Sequence, residues 1–84
     1  MANFENRKGK LYIDGKRIIK GWESFSGWYW FATKKISDDL YYGYVQGLDE
    51  EWGEWSMNEF KPLMEQGKVW EIKKLDLPHA GRRE

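Results

Sequence analysis

The sequence predicts an α+β domain, a small antiparallel sheet of five to six strands with one helix packed on it. Three observations carry that prediction. Asp14-Gly15 separates two short apolar runs, a strong two-residue hairpin signal, because a type I′ turn needs positive φ at both positions. Trp28 to Ile36 and Tyr41 to Leu48 are aromatic-rich, strand-forming segments separated by Ser37-Asp38-Asp39. Ser56 precedes Met57, Phe60, Leu63 and Met64, apolar positions three and four apart that define one helix face before Gly67. A small β-barrel with one short helix is the alternative.

In chain order, residues 1–9 are polar and are expected to be a flexible end, as are residues 77–84. Lys10 to Ile13 and Lys16 to Lys20 form the hairpin arms, and Gly21 to Gly27 reads as a loop. In the segment from Trp28, side chains alternate: Trp28, Trp30 and Ala32 point one way, Tyr29, Phe31 and Thr33 the other. Both faces are aromatic, so this strand belongs at the centre, with the helix on one side and a second cover on the other.

Tyr41 to Leu48 is its antiparallel partner. Gly43 and Gly47 leave space there for a bulky neighbour or mark a bulge. Asp49-Glu50-Glu51 reads as an acidic turn, and Trp52 to Trp55 as a short strand broken at Gly53. Ser56 and Glu59 have capping-box spacing, in which each side chain bonds the other residue's amide. Pro62 removes an interior hydrogen bond and should kink the helix or limit it to about three turns. Gly67 is a natural stop, and Lys68 to Leu75 alternates as a last strand, with lysines suited to an edge.

Length and composition bound the rest. Eighty-four residues make one domain, 1–84. With 33% charged and 18% aromatic residues the chain is globular, and its rings help so short a chain build a core. There is no cysteine, which excludes disulfides, thiolate nucleophiles and cysteine-type zinc sites. No apolar run reads as a secretion signal or a membrane span, so a cytoplasmic protein without membrane contact is expected. The net charge of zero hides segregation: residues 1–35 carry +5, residues 36–66 carry −7 and residues 67–84 carry +2. Such a chain can pair its own halves or show separate patches to a partner.

The segments Trp28-Tyr29-Trp30-Phe31-Ala32-Thr33, Tyr42-Gly43-Tyr44-Val45-Gln46-Gly47-Leu48 and Glu51-Trp52-Gly53-Glu54-Trp55-Ser56-Met57-Asn58-Glu59-Phe60 resemble domain-of-unknown-function family 2958. That family is carried on bacterial plasmids and other mobile elements. The resemblance covers Trp28 to Phe60. Glu54-Trp55 stands where the family favours Tyr-Phe, and Met57 where it favours Leu. It implies a shared fold and a mobile-element setting and brings no activity, because the motif consists of structural residues.

Candidate sites are sparse. The single His79, beside Pro78, has neither a cysteine nor a second histidine to complete a zinc site. Asp49, Glu50, Glu51 and Glu54 lack the alternating oxygen ligands of a calcium loop and read as a solvated turn near a helix N-terminus. The same residues could supply a glycosidase-like carboxylate pair, but nothing in the sequence identifies a substrate cleft, and mimicry of nucleic-acid charge by this acidic stretch is a remote reading. No catalytic residue, metal or cofactor is expected, and the chain reads as a non-enzymatic binding module. Trp22, Trp52 and Trp55 lie in or near predicted loops and are the expected patch for a protein partner or for self-association. The alternative is a single-stranded nucleic-acid binder using Lys10, Tyr12, Lys16, Arg17, Lys20, Lys34 and Lys35, with Trp22 beside them.

Overall fold

The computed structural model describes residues 2–73 and 75. Eight strands and one helix follow in order: β1 Phe4–Arg7, β2 Lys10–Ile13, β3 Lys16–Arg17, β4 Lys20–Ser24, β5 Tyr29–Lys35, β6 Leu40–Gln46, β7 Glu50–Ser56, α1 Met57–Glu65 and β8 Val69–Glu71. They form two antiparallel sheets, one ordered β1-β2-β3 and one ordered β7-β6-β5-β4-β8. The fold is α+β and mostly strand, with neither a single sheet nor a closed barrel.

The expected DG hairpin is present: Asp14 and Gly15 both adopt positive φ, 51° and 80°, between β2 and β3. A second turn of the same kind precedes it. Lys8 and Gly9, at φ 54° and 81°, join β1 to β2. Residues 4–7 are therefore strand and not a frayed end. Their polar residues face outward, and Phe4 alone reaches inward, edge-on to Phe31 at 5.7 Å and to Tyr44 at 5.9 Å. Residues 77–84 lie outside the described residues.

The chain changes sheets at Ile18-Ile19. Ile18 N–H donates to Leu11 of the first sheet, and Ile19 N–H to Ala32 of the second. The segment expected as a loop then continues as β4, an interior strand between β5 and β8. Its glycine is at home there because a β-carbon on Gly21 would stand 2.7 Å from Leu75.

β5 is central, and its alternation divides the core. Tyr29 and Phe31 face the first sheet and pack with Leu11, Ile13, Ile18 and Tyr44. Trp30 and Ala32 face the helix, within the cluster of Trp22, Tyr41, Trp55, Phe60 and Val69. The second cover predicted for β5 is thus the three-stranded sheet. Each layer contributes apolar area, and every fully buried large side chain stabilises by roughly 1.5–3 kcal/mol before entropy is counted.

β7 runs unbroken from Glu50, in register with β6 across Gly53. The acidic turn therefore ends at Asp49. Ser56 is the N-cap of α1 and accepts from Asn58 N–H at 3.2 Å. The further cap bonds come from Asp39, and no bond between Ser56 and Glu59 closes the expected capping box. Asp39 Oδ1 accepts from Asn58 N–H at 2.7 Å, its Oδ2 from the Ser56 hydroxyl, and its carbonyl from Met57 N–H at 2.7 Å. Pro62 lies inside the helix, which ends three residues later. Gly67 at φ 73° closes it in a Schellman motif: Gly67 N–H bonds Met64 C=O, and Lys68 N–H bonds Leu63 C=O. The last strand is an edge, as expected, but shorter.

Candidate functional site

The turn from β4 to β5 projects an aromatic ring into solvent. Ser24 N–H donates to Trp28 C=O at 2.9 Å, and Gly27 N–H to Ser24 C=O at 3.0 Å. Trp28 N–H donates to the Ser24 hydroxyl at 3.1 Å, and that hydroxyl pairs with Ser26 Oγ at 2.9 Å. Gly27, at φ 87°, supplies the left-handed conformation this turn requires. Phe25 N–H is tied to Lys68 C=O at 2.9 Å. The turn is held from both sides, yet Phe25 remains 70% exposed.

Behind Phe25 lies a cleft of about 160 Å³. Trp28, just before β5, and Trp30 within it form its floor with rings stacked at 5.9 Å. Trp30 is fixed edge-on against Phe60 of α1 at 4.8 Å. Leu63 and Val69 close the far wall, and Ser24, Ser26 and Lys68 supply the polar rim. Trp28 in turn covers Gly47, whose successor Leu48 is 91% exposed. Apolar walls with a sparse polar rim suit an apolar anchor side chain from another molecule.

The tryptophans expected to form an exposed patch do not form one: Trp22 and Trp55 are buried together, and Trp52 lies elsewhere. Trp22 is 1% exposed, at the centre of the helix-side core, with ring contacts to Tyr41 at 5.1 Å and to Trp55 and Phe60 at 6.0 Å. It is not in a loop, as the sequence predicts, but mid-strand in β4 between β5 and β8. Trp55 is buried in the same cluster. Trp52 lies on the opposite face, half-buried, stacked on Tyr42 at 6.2 Å and covered by the Lys16 ammonium at 4.6 Å.

The basic candidates are dispersed. Lys10, Tyr12 and Arg17 share the outer face of the first sheet, where Tyr12 opposes Arg17 and Glu5, and Lys10 opposes Arg7. The Arg7 guanidinium covers the Tyr12 ring at 4.5 Å and pairs with Glu5 at 2.9 Å. Hydrogen bonding to Arg7, reinforced by its charge, holds the Glu5 carboxyl below its usual range. Lys34 lies over Tyr42 at 5.5 Å and Lys35 over Tyr41 at 5.9 Å, on opposite faces of β5. Lys20 opposes Ala32 on the helix-side face. The rings near these cations already have cations or rings against them.

Among the acidic residues, Glu50 accepts a hydrogen bond from the Tyr44 hydroxyl. Burial, reinforced by that bond and by the Glu50 charge, pushes the Tyr44 phenol up to about 12. Among the described residues no group of three acidic, histidine or cysteine side chains is arranged to hold a metal ion. His79 lies outside the described residues.

No sequence motif marks Phe25, Trp28, Trp30 and Leu63 as one site. One signal was available: Phe25 is an aromatic residue inside the polar run Ser24-Phe25-Ser26-Gly27, where a turn gives it no core to enter. Fold and cleft together define a small two-sheet α+β domain with an exposed apolar groove. No family model, curated protein or solved structure matches the chain. No helix among the described residues is long and apolar enough to cross a membrane.

Proposed function

We propose that this chain is a non-enzymatic binding module of a mobile element that seats an apolar anchor of a protein partner in the Phe25–Leu63 cleft. One observation carries the reading: Phe25 is held in a hydrogen-bonded turn with most of its ring in solvent, beside a groove floored by two stacked tryptophans. Leaving such a ring in water forgoes burial worth roughly 1.5–3 kcal/mol, and a rigid turn lowers the entropy cost of burying it against a partner. The mobile-element setting rests on the sequence resemblance. Phe25→Ser with Leu63→Ser tests the proposal. A protein retained by the wild-type chain and lost with the variant, at equal thermal stability, supports it. Equal retention by both overturns it, and sedimentation shows whether the retained partner is a second copy.

The alternative is a single-stranded nucleic-acid binder, favoured by Arg7, Lys10 and Arg17 around Tyr12 on one outward face. A tryptophan-quench titration with single-stranded DNA tests it. Steep weakening with salt supports this reading, and silence at low salt removes it.

A further inference from the structure

The described strands leave four sheet edges, and three of them are short. β1 has four residues, β3 two and β8 three. The fourth, β7, has seven residues and pairs with β6 in continuous register along its whole length. Among the described residues no strand lies on its other side. Exposed edges are normally blunted by short length, a bulge, a proline or charged side chains, lysine above all. The segment Glu50 to Ser56 is long, without bulge, proline or lysine, and its only charges are glutamates, which repel an acidic guest and admit a basic one. At its middle, Gly53 has nothing within 4 Å of the position a β-carbon would take, so that face of the strand has room for a guest's cross-strand side chain.

The charges on this edge are of one sign. Glu50, Glu51 and Glu54 are all exposed. Glu50, Trp52 and Glu54 point to one face, with Glu51 and Gly53 between them on the other. Beside the first two glutamates lies a cavity of about 240 Å³, lined by Asp14, Tyr44, Glu50, Glu51 and Trp52. We infer that β7 takes up an extended, lysine- or arginine-bearing protein segment as a sixth strand. The ladder supplies main-chain hydrogen bonds, and alternation sets the side-chain pattern. A guest with basic residues at two same-face positions and an apolar residue between them places cations against Glu50 and Glu54 and the apolar side chain against Trp52. Its first basic side chain lies within reach of the acidic cavity. A second copy is the poorer guest, because another β7 brings three more glutamates and no cation to an edge that already carries three.

The test is an NMR titration with a Thr/Val-rich peptide carrying lysines at those two positions. The expected result is that the amides of 50–56 shift and gain exchange protection, while the glutamate counterpart of the peptide leaves them unmoved. Methylating alternate peptide nitrogens on the pairing side should abolish binding. Glu54→Lys, at an exposed position, should keep the fold and weaken binding about tenfold. Three results overturn the inference: no response of these amides at millimolar peptide, equal binding of the methylated peptide, or protection in the free protein with a dimer in sedimentation.

Discussion

Gly43 passes so close to Phe31 that a β-carbon on it would stand 1.9 Å from the Phe31 carbonyl oxygen. The obstacle is backbone, in the strand pair at the centre of the larger sheet, beside the register shift between Ala32 and Lys34. Gly47, four residues on, meets only a side chain: its β-carbon would stand 2.3 Å from the Trp28 ring. A half-buried ring can swing aside, whereas paired backbone cannot without breaking its ladder. Gly43→Ala should therefore cost more than the roughly 1–3 kcal/mol typical of overpacking, and Gly47→Ala should fall within that range. Thermal denaturation of both variants checks the order. Gly47→Ala should also change the fluorescence of the cleft tryptophans.

Asp39 holds the start of α1 from the far end of the β5–β6 hairpin. It satisfies Met57 N–H, Asn58 N–H and the Ser56 hydroxyl. Asp39→Ala removes the two side-chain bonds and should cost about 1–2 kcal/mol, the upper range for losing a cap. In a domain of this size that lowers the melting temperature by about 4–16 °C. Ser56→Ala should cost less, because Asp39 still accepts from Asn58. The double variant should fall short of the sum, since both groups serve the same amide.

Local signals placed most of the elements. Asp14-Gly15 fixed a turn, the alternation from Trp28 to Phe31 fixed both faces of β5, and Ser56 and Gly67 bounded the helix. What stayed hidden was long-range. Residues 4–7 look polar because only Phe4 faces inward, and nothing local says that Lys8 adopts the left-handed conformation. Lys20 to Ser24 contains Gly21 and three polar residues, and it becomes a strand because β5 and β8 flank it. That pairing buried Trp22 and removed it from the expected patch. The cleft was illegible for the same reason: it needs the β4–β5 turn beside the end of α1, a contact no sequence window contains.

The Tyr44 phenol titrates above its ordinary value of 10.0, at about 12. A group whose folded pKa is raised stabilises the fold fully below the unfolded pKa, and that contribution is lost as pH rises through the folded one. Tyr44 should therefore leave stability unchanged near neutrality and reduce it between about pH 10 and about pH 12. Tyr44→Phe should flatten that segment of the profile. Denaturant unfolding of both proteins across this window checks the sign, and spectrophotometric titration should show one fewer late phenol in the variant.

Trp22 and Phe25, three residues apart, should separate stability from binding. Trp22 is fully enclosed by Tyr41, Trp55 and Phe60, so Trp22→Ala opens a large cavity and should cost about 3–5 kcal/mol. That is a large share of the roughly 5–15 kcal/mol typical of a whole domain. Phe25 is mostly in solvent, and its turn is held by backbone and serine bonds that do not involve the ring. Phe25→Ser should thus stay within about 0.5 kcal/mol of wild type. If the cleft is the docking surface, this stable variant loses the partner, while a conservative Trp22→Phe retains it in proportion to the fraction folded. Equilibrium unfolding and a binding isotherm on wild type and these three variants are sufficient. A Phe25→Ser protein that binds as wild type would show that its exposed ring has no part in recognition.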